Sequence, residues 1–338
     1  MKLLNVSGSP HVHSDESTKK IMWRVNLALV PTLIVAIAFF GLNALLISIV
    51  SVVCCVLFQW LIEKFIMKVP STISDGSAVV TGLLLAFNVP ATREMIALVA
   101  IGALVAIAIG KMSFGGIGKN PFNPALVGRV FMLISFPVPM TTWPKPGENL
   151  FSLVSQPTTI DVTTGATPLG FIKERLKSGM SMEQIMNDPV MSGLSFSDIM
   201  LGHMGGSLGE VSALAILIGA IYLLCRRIIS WHIPVSFIGT AFVFSAILWL
   251  CDKTAFVDPV TTILTGGIML GACFMATDMV TSPMSKKAQL IFGFGCGLLT
   301  IIIRNWGNYP EGVSFAILLM NSVTPLLNRW CKPARFAK

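Results

Sequence analysis

The segments Ser74–Gly82 (SDGSAVVTG) and Val257–Gly266 (VDPVTTILTG) lie in opposite halves of the chain and resemble each other. Each has an acidic residue, then a small or β-branched run, then Thr-Gly leading into an apolar segment. A motif shared by two halves that enter a membrane in opposite directions is typical of an inverted repeat with discontinuous helices. Binding sites in such proteins lie at the interface of the repeats. The alternative is chance similarity between two apolar segments.

The composition indicates an integral membrane protein. Hydrophobic residues make up 54% and charged residues 12% of the 338 residues, whereas soluble domains carry about 25% charged residues. The mean hydropathy is +0.78. The net charge of +8 does not indicate nucleic-acid binding, because the basic residues flank apolar segments and form no single patch. The seven cysteines include no CxxC pair, so we interpret them as small hydrophobes and not as disulfides or metal ligands.

Ten apolar runs have about the length that crosses a bilayer, ~20 residues. Two of them, 76–91 and 123–138, are short and interrupted by Gly or Pro. The sequence therefore predicts an all-α polytopic membrane protein with about ten transmembrane helices in two five-helix inverted repeats with discontinuous helices. The predicted spans are 21–40, 42–62, 76–91, 94–111, 123–138, 210–229, 232–250, 257–277, 288–303 and 312–328.

The distribution of basic residues predicts how these spans are oriented across the membrane. Most of the 24 Lys and Arg residues, Lys111 and Arg129 among them, fall in segments that a cytoplasmic N-terminus places inside. This bias follows the positive-inside rule and predicts that both termini are cytoplasmic. The predicted domains are a cytoplasmic tail at 1–20, a first five-helix repeat at 21–138, an outer-face (periplasmic) loop at 139–209, a second five-helix repeat at 210–328 and a cytoplasmic tail at 329–338.

The outer-face loop contains the polar stretch Asp161–Leu169 (DVTTGATPL). Gly165 and Ala166 remove bulk beside the hydroxyl of Thr167, and glycine permits backbone angles closed to other residues. A Thr hydroxyl can attack the diphosphate of FAD in a metal-assisted phosphoryl transfer that leaves FMN on the side chain. The alternative is an ordinary turn rich in Thr and Gly.

A second unusual stretch is Gly115–Arg129, in which Pro121 and Pro124 forbid a continuous helix. Broken backbone at membrane depth must be buried in protein or line a polar cavity. The stretch contains Asn120 and Asn123, and the N–H groups at its helix start are suited to an anion or a flavin carbonyl. The alternative is a cytoplasmic loop followed by a Pro-capped helix.

Other ionisable residues flank the later spans. Glu210 is either a charge that favours a helix start or a polar group beside a flavin or an ion path. Asp278, Arg304 and Glu311 are interpreted as structural groups at span ends in preference to an ion site. The sequence contains no GxGxxG after a strand, no P-loop and no Cys/His metal set, so we predict no nicotinamide, nucleotide or metal site.

Taken together, the motifs resemble the RnfD and NqrB family of membrane subunits, and the resemblance covers almost the entire chain. Because NqrB has a larger N-terminal extension, the 20-residue tail favours the RnfD branch. One departure is Thr164, where the relatives often have Ser. The matching segments, in the expected order, are 75–82, 118–126, 164–169, 205–210, 276–283 and 309–321.

The resemblance implies that Thr167 carries FMN through a phosphoester bond. Asp161, Thr164, Gly165 and Ala166 complete the attachment motif. A second, non-covalent flavin such as riboflavin is also compatible with the family. The polar residues of this chain that match the family outside the attachment motif are Asp75, Asn120, Asn123, Glu210 and Asp278.

The resemblance also implies the biological role. Rnf complexes pass electrons between reduced ferredoxin and NAD and move Na⁺ or H⁺ across the bacterial inner membrane. The expected partners are the other Rnf subunits (RnfA, RnfB, RnfC, RnfE and RnfG), especially the flavoprotein RnfG, together with a flavin transferase and membrane lipid, but no nucleic acid. We expect one component of a translocase, with no independent catalytic activity.

Two alternatives remain open at the level of sequence. One is an NqrB-type subunit of a Na⁺-translocating NADH:quinone oxidoreductase. The other is a solute channel or transporter with the same inverted-repeat fold, since one fold hosts many functions. The Thr167 motif discriminates against the second alternative, because a channel has no need of it.

Overall fold

All regular structure in the part of the chain described here is helical. The structure is a computed structural model that describes residues 16–144, 168–178, 180, 184–185, 188, 200, 205–210, 212–307 and 311–332. The helices are α1 (Thr18–Leu61), α2 (Ser77–Phe87), α3 (Met95–Ala108), α4 (Pro124–Ser135), α5 (Pro137–Thr141), α6 (Pro168–Lys177), α7 (Ala213–Cys225), α8 (His232–Cys251), α9 (Pro259–Leu264), α10 (Ile268–Leu270), α11 (Lys286–Trp306) and α12 (Val313–Trp330). We call residues before 139 the first half and residues from 210 onward the second half.

The long helix α1 is two segments joined at Gly41. This glycine has φ 63° and ψ −144°, a backbone conformation open to glycine and strained for residues with a Cβ. The break falls between the predicted spans 21–40 and 42–62. A π-helical turn, Ile62–Met67, extends the second segment.

Four elements are long and apolar enough to cross a membrane: Thr18–Met67, Met95–Phe114, His232–Cys251 and Lys286–Trp306. Shorter apolar helices are Ser77–Phe87, Pro124–Ser135 and Ala213–Cys225. Large apolar side chains lie exposed on α1 and α8, including Ile34, Val53 and Val243. Exposed apolar faces on long helices fit a lipid environment, so the all-α membrane class is confirmed at this level. The count of ten crossings and the inverted repeat remain predictions.

The two similar motifs each begin a short helix with an acidic residue. Asp75 Oδ1 accepts from the backbone N of Ser77 at 2.7 Å at the start of α2. Asp258 caps α9 by accepting from the backbone N of Thr261 at 2.9 Å. Side-chain acceptors of this kind satisfy N–H groups that have no partner within the helix.

Both helices stop early. The apolar helix α2 ends at Phe87, short of the predicted boundary at residue 91. In the second half, Gly266 adopts φ 79° after α9, and the chain resumes as α10 and a π-helical turn, Gly271–Met275. The predicted segment 257–277 is therefore interrupted in the structure, and the helix in the predicted segment 76–91 is shorter than expected.

Close glycine contacts join the helices. In the second half, α8 packs against α11, and a Cβ on Gly297 would lie 2.6 Å from the carbonyl oxygen of Phe237. Between the halves, α1 packs against α7 and α4 packs against α12. A Cβ on Gly219 of α7 would lie 2.2 Å from the carbonyl oxygen of Ala28. Small residues that let backbones approach are the usual device for packing helices in membranes.

Candidate functional site

A cleft with a cavity volume of about 70 Å³ lies where the two halves meet, beside the inner ends of the helices in the predicted orientation. Most of its wall is apolar, and its polar groups are few. Such a combination is typical of small-molecule and cofactor sites. The apolar wall includes Met22, Val80, Leu84, Leu223 and Phe274, and the polar wall includes Ser77, Lys111, Asn120, Asn123 and Asp278.

Asn123 holds the start of α4 and joins the two halves. Its Oδ1 accepts from the backbone N of Ala125 at 3.1 Å, and Pro124 occupies the first position of the helix. Its Nδ2 donates to the carbonyl oxygen of Met275, in the π-helical turn of the second half, at 3.2 Å. The side chain is buried. One amide therefore caps a helix of the first half and binds the second.

Asn120 is placed by the glycine loop that precedes α4. Gly115, Gly116 and Gly118 all have φ between 89° and 100°, which allows the loop to fold back toward the cleft. Asn120 Nδ2 donates to the carbonyl oxygen of Phe122 at 3.0 Å, and the side chain is buried. The structure thus brings Asn120 and Asn123 to one cleft, with Asp278 on its second-half side.

Lys111 lies in the same cleft and is only 3% exposed. Its Nζ donates to Gln59 Oε1 at 2.8 Å and to Ser77 Oγ at 2.6 Å. Ser77 Oγ in turn donates to Asp75 Oδ1 at 2.7 Å. The buried ammonium is therefore connected through neutral groups to a carboxylate, and does not contact it directly.

Gln59 continues this network to a second carboxylate. Its Nε2 donates to Glu63 Oε1 at 2.9 Å. Glu63 also accepts from the backbone N of Thr72 at 2.9 Å and from the Thr72 hydroxyl. Because these bonds span the second segment of α1 and the loop before α2, the network fixes the position of Lys111.

Asp278 lies in the turn between the π-helical segment Gly271–Met275 and α11. Its Oδ2 accepts from Thr281 Oγ1 at 3.1 Å. Burial raises the pKa of this carboxyl, and the hydrogen bond from Thr281 and the charge of Lys111 oppose that shift. The cleft thus holds one cation and one carboxyl group on facing walls.

A separate polar network lies nearer the opposite ends of the helices, which are the outer ends in the predicted orientation. Arg129 of α4 donates to Asn88 Oδ1 at 3.0 Å and to Ser314 Oγ at 2.6 Å, and forms an ion pair with Glu311. Both charged side chains are less than 9% exposed. Because Arg129 is in the first half and Glu311 is in the second, this pair is a charged contact between the halves.

Glu210 belongs to this outer network and not to the cleft. Its Oε2 accepts from Ser207 Oγ at 2.7 Å, and its carboxyl group lies close enough to Glu311 and Arg129 to interact electrostatically with both. The helix-start interpretation of Glu210 is wrong in detail, because α7 begins at Ala213 with Ser212 as its cap.

Arg304 does not pair with Glu311 by a direct contact. Its Nη1 donates to the carbonyl oxygen of Thr262 at 2.6 Å and its Nη2 to that of Thr265 at 3.3 Å. These carbonyl groups lie at the end of α9, where the helix is broken. Arg304 therefore satisfies backbone acceptors that the interruption exposes, which is a structural role.

The residues of the attachment motif, Asp161, Thr164, Gly165, Ala166 and Thr167, lie outside the described residues. The described chain resumes at Pro168, the first residue of α6. Lys173 of α6 donates to the carbonyl oxygens of Arg304 at 2.9 Å and Gly307 at 2.5 Å. The helix that follows Thr167 is thus attached to the C-terminal end of α11.

The sequence analysis counted Lys111 and Arg129 among the basic residues of the inside segments and did not predict that their side chains are buried. Both side chains are buried, at 3% and 5% exposure, because their partners come from other helices. The signal available in the sequence was their place beside apolar runs and within the Gly/Pro-rich stretch 110–129. A cation at such a place is costly unless it is paired.

These features define an all-helical membrane protein with one buried polar network in its first half, beside the cleft, and another between its halves. Along residues 5–337 the chain matches the model of the "NQR2, RnfD, RnfE family". The chain belongs to this family, which confirms the resemblance drawn from its motifs.

Individual relatives extend over nearly the whole chain. It is 42% identical to the D subunit of the proton-translocating ferredoxin:NAD(+) oxidoreductase complex of Clostridium ljungdahlii, covering 99% of this chain and 96% of the relative. It is 43% identical to the D subunit of the Na(+)-translocating ferredoxin:NAD(+) oxidoreductase complex of Acetobacterium woodii, covering 97% and 94%. It is 36% identical to the D subunit of the ion-translocating oxidoreductase complex of Escherichia coli, covering 98% and 97%.

Proposed function

We propose that this chain is the membrane-embedded RnfD component of an ion-translocating ferredoxin:NAD oxidoreductase complex of the Rnf type. The observation that carries the proposal is similarity along the whole chain to proteins named as the D subunit of such complexes. The sequence has no nucleotide-binding motif of its own. Ferredoxin and NAD therefore react on other subunits, and this chain passes electrons within the membrane.

The fold suits that role if ten crossings form two inverted five-helix repeats. The glycine break in α1, the two acidic helix starts, the short helix in 76–91 and the interrupted helix in 257–277 support this arrangement. Both termini are then cytoplasmic in the bacterial inner membrane, and the loop containing Thr167 is on the outer face. Fusion of a periplasm-dependent reporter enzyme after residue 144 and after residue 332 tests this orientation. Activity only at the first position is expected.

Thr167 is the proposed site of covalent FMN. Its hydroxyl oxygen attacks the phosphorus of FAD that becomes the FMN phosphate, the P–O bond to AMP breaks, and a base of the flavin transferase takes the hydroxyl proton. The position directly before Pro168, at the start of α6, supports the assignment. Helix N-termini favour negative charge, and Lys173 fixes the helix that follows Thr167 in the sequence to α11.

The inner cleft is the proposed site of a second, non-covalent flavin such as riboflavin. Its apolar walls match a flat aromatic ring, and its polar groups include the amides of Asn120 and Asn123 and the ammonium of Lys111, which match the carbonyl and nitrogen atoms of that ring. Asn120 and Asn123 supply hydrogen-bonding groups and hold the loop and α4 in place. A bound flavin accepts and releases electrons. One flavin on each side of the membrane provides an electron path between the faces.

The ion is Na⁺ or H⁺, and its passage is coupled to electron flow in the assembled complex. The relatives named for proton and for sodium translocation are 42% and 43% identical to this chain, so overall similarity does not distinguish the two ions. The partners are RnfA, RnfB, RnfC, RnfE and RnfG, with the flavoprotein RnfG next to the outer loop. Ferredoxin-dependent uptake of ²²Na⁺ by inverted vesicles, with and without a protonophore, separates the two ions.

The first test is flavin fluorescence in a denaturing gel. The full chain, Thr167→Ala and Thr167→Val are each co-expressed with a flavin transferase, and Thr141→Ala, at an exposed threonine outside the motif, serves as a matched control. A fluorescent band near 36.4 kDa that disappears in both Thr167 variants and persists in Thr141→Ala is expected. A dark wild-type band, or a Thr167→Val band as bright as wild type, contradicts the attachment.

A further inference from the structure

Lys111 is a buried cation whose direct partners are all neutral. Its ammonium group donates to the side-chain oxygens of Gln59 and Ser77. An ammonium has three N–H donors, and the third has no acceptor among the described residues. A buried charged donor that makes no hydrogen bond costs free energy unless a ligand supplies the missing acceptor.

The unused donor lies at the cleft. Lys111 itself lines the cleft, and so does Ser77, whose Oγ contacts the Nζ atom at 2.6 Å. Gln59 lies on the other side and does not line it. The position of Nζ between these two groups leaves the cleft as the place where its remaining hydrogen bond can be made.

Three carboxylates surround the ammonium without touching it. Asp75 lies behind Ser77, Glu63 lies behind Gln59, and Asp278 lines the cleft on its second-half side. Together they favour a charged lysine in this buried place. Since Asp75 and Glu63 are each separated from Nζ by one other side chain, and the hydrogen bond described for the Asp278 side chain is to Thr281, the ammonium stays available to a ligand.

We propose that Lys111 binds the pyrimidine edge of the flavin in the inner cleft and raises the reduction potential of that flavin. The inference rests on the proposed inner flavin site and adds a residue that the sequence motifs did not indicate. The uncharged oxidised ring takes up two electrons, delivered by the complex, and one proton from water. One negative charge then resides at N1 and O2 of the reduced ring. A cation beside that edge stabilises the reduced form more than the oxidised form.

The experiment measures the midpoint potential of riboflavin bound to the full chain. Thr167→Ala is the parent, so that covalent flavin on that residue does not contribute. Lys111→Met and Lys111→Gln remove the charge, and Lys111→Gln retains a polar group toward Gln59 and Ser77. Lys111→Arg retains the charge. Lys119→Met is the matched control, because it removes an exposed cation from the neighbouring loop.

The expected result is a tenfold or larger fall in the ratio of reduced to oxidised riboflavin at a fixed potential for Lys111→Met and Lys111→Gln. For a two-electron couple, tenfold corresponds to about 30 mV. The Lys111→Arg and Lys119→Met variants stay within threefold of the parent. If the uncharged variants lose riboflavin altogether while Lys111→Arg retains it, the charge is required for binding, which also supports the proposal.

An unchanged midpoint in a Lys111→Gln protein that still binds riboflavin overturns the inference and leaves the inner flavin site intact. Loss of riboflavin from a folded Lys111→Arg protein also overturns the inference, because a positive charge at this position is then not what determines riboflavin binding. A parent that binds no riboflavin refutes the inner site together with this inference. The covalent site is unaffected by that outcome, since the gel experiment tests it separately.

Discussion

Arg129 and Glu311 form a buried ion pair between residues 182 positions apart in the chain. Arg129 lies in α4 of the first half, and Glu311 lies directly before α12 of the second half. Asn88 and Ser314 bind the same guanidinium group. The pair therefore fixes the relative position of two helices that meet at the interface of the halves.

The first prediction concerns this ion pair. Arg129→Met and Glu311→Leu should each lower the stability by about 3–5 kcal/mol, because each leaves a buried charge without its partner. The double variant should lose less than the sum of the two single losses. Unfolding is followed in detergent with a thiol-reactive dye, which reports exposure of the buried Cys55, Cys273 and Cys296. Additive losses in the double variant would contradict a direct interaction.

The second prediction concerns the anchor of α6. Lys173→Met removes two hydrogen bonds from a charged donor to the last carbonyl groups of α11, each worth about 1.5–3 kcal/mol. Amide hydrogen exchange in residues 170–178 should rise at least tenfold, while covalent flavin on Thr167 is retained. The control is Arg175→Met, whose partner Asp188 is 3.7 Å away in a partly exposed pair, an interaction of ~0–1 kcal/mol. Equal exchange rates in the two variants would refute the anchoring role.

The third prediction concerns the contact between α1 and α7. Gly219→Ala places a Cβ about where the carbonyl oxygen of Ala28 lies, at 2.2 Å, so one helix must move. We expect a loss of at least ~1–3 kcal/mol, as for other overpacked sites. Gly239→Ala is the control, since nothing lies within 4 Å of a Cβ there and alanine favours a helix. The two melting temperatures in detergent should move in opposite directions.

The fourth prediction concerns the two functions of Asn123. Asn123→Asp keeps the cap on α4 but loses the donor to the carbonyl oxygen of Met275. Asn123→Ala loses both, and a lost cap costs about 0.5–2 kcal/mol. Both variants should release riboflavin at least tenfold more readily than wild type, measured by fluorescence after gel filtration. Unchanged retention in both would remove Asn123 from the cleft's binding groups.

The order of stability then separates the two functions of this residue. If the cap matters more than the contact between halves, Asn123→Asp melts above Asn123→Ala. The reverse order would show that a carboxylate facing the Met275 carbonyl oxygen destabilises the protein more than loss of the helix cap does. Thermal unfolding of the two variants without added flavin distinguishes these cases.

Helix starts and helix breaks could be predicted from the sequence because they depend on residues that are neighbours in the chain. The gap between the first two predicted spans falls on Gly41, where the backbone adopts a conformation open to glycine. Pro124 occupies the first turn of α4, and Asn123 caps it, as Pro-containing helix starts predict. The helix end near residue 88 and the interruption near residue 265 follow from the same kind of local signal.

Only part of the candidate site could be predicted from the sequence. Asn120 and Asn123 were identified from a motif, and the structure places both at one cleft. Lys111 was counted among the inside-facing charges, because a lysine after an apolar run normally extends to the membrane surface. Its burial depends on Gln59 and Ser77, which are 52 and 34 residues away along the chain.

By itself, the sequence determined the membrane class, the apolar segments, the family and the Thr167 motif. Each depends on composition or on residues that are neighbours in the chain. Only the tertiary structure decided that Glu210 and Glu311 share one network, that Arg129 joins the halves and that Lys111 faces the cleft. The physical reason is that a charge is retained in a buried place by partners from distant segments, and pattern along the chain does not specify which segments meet.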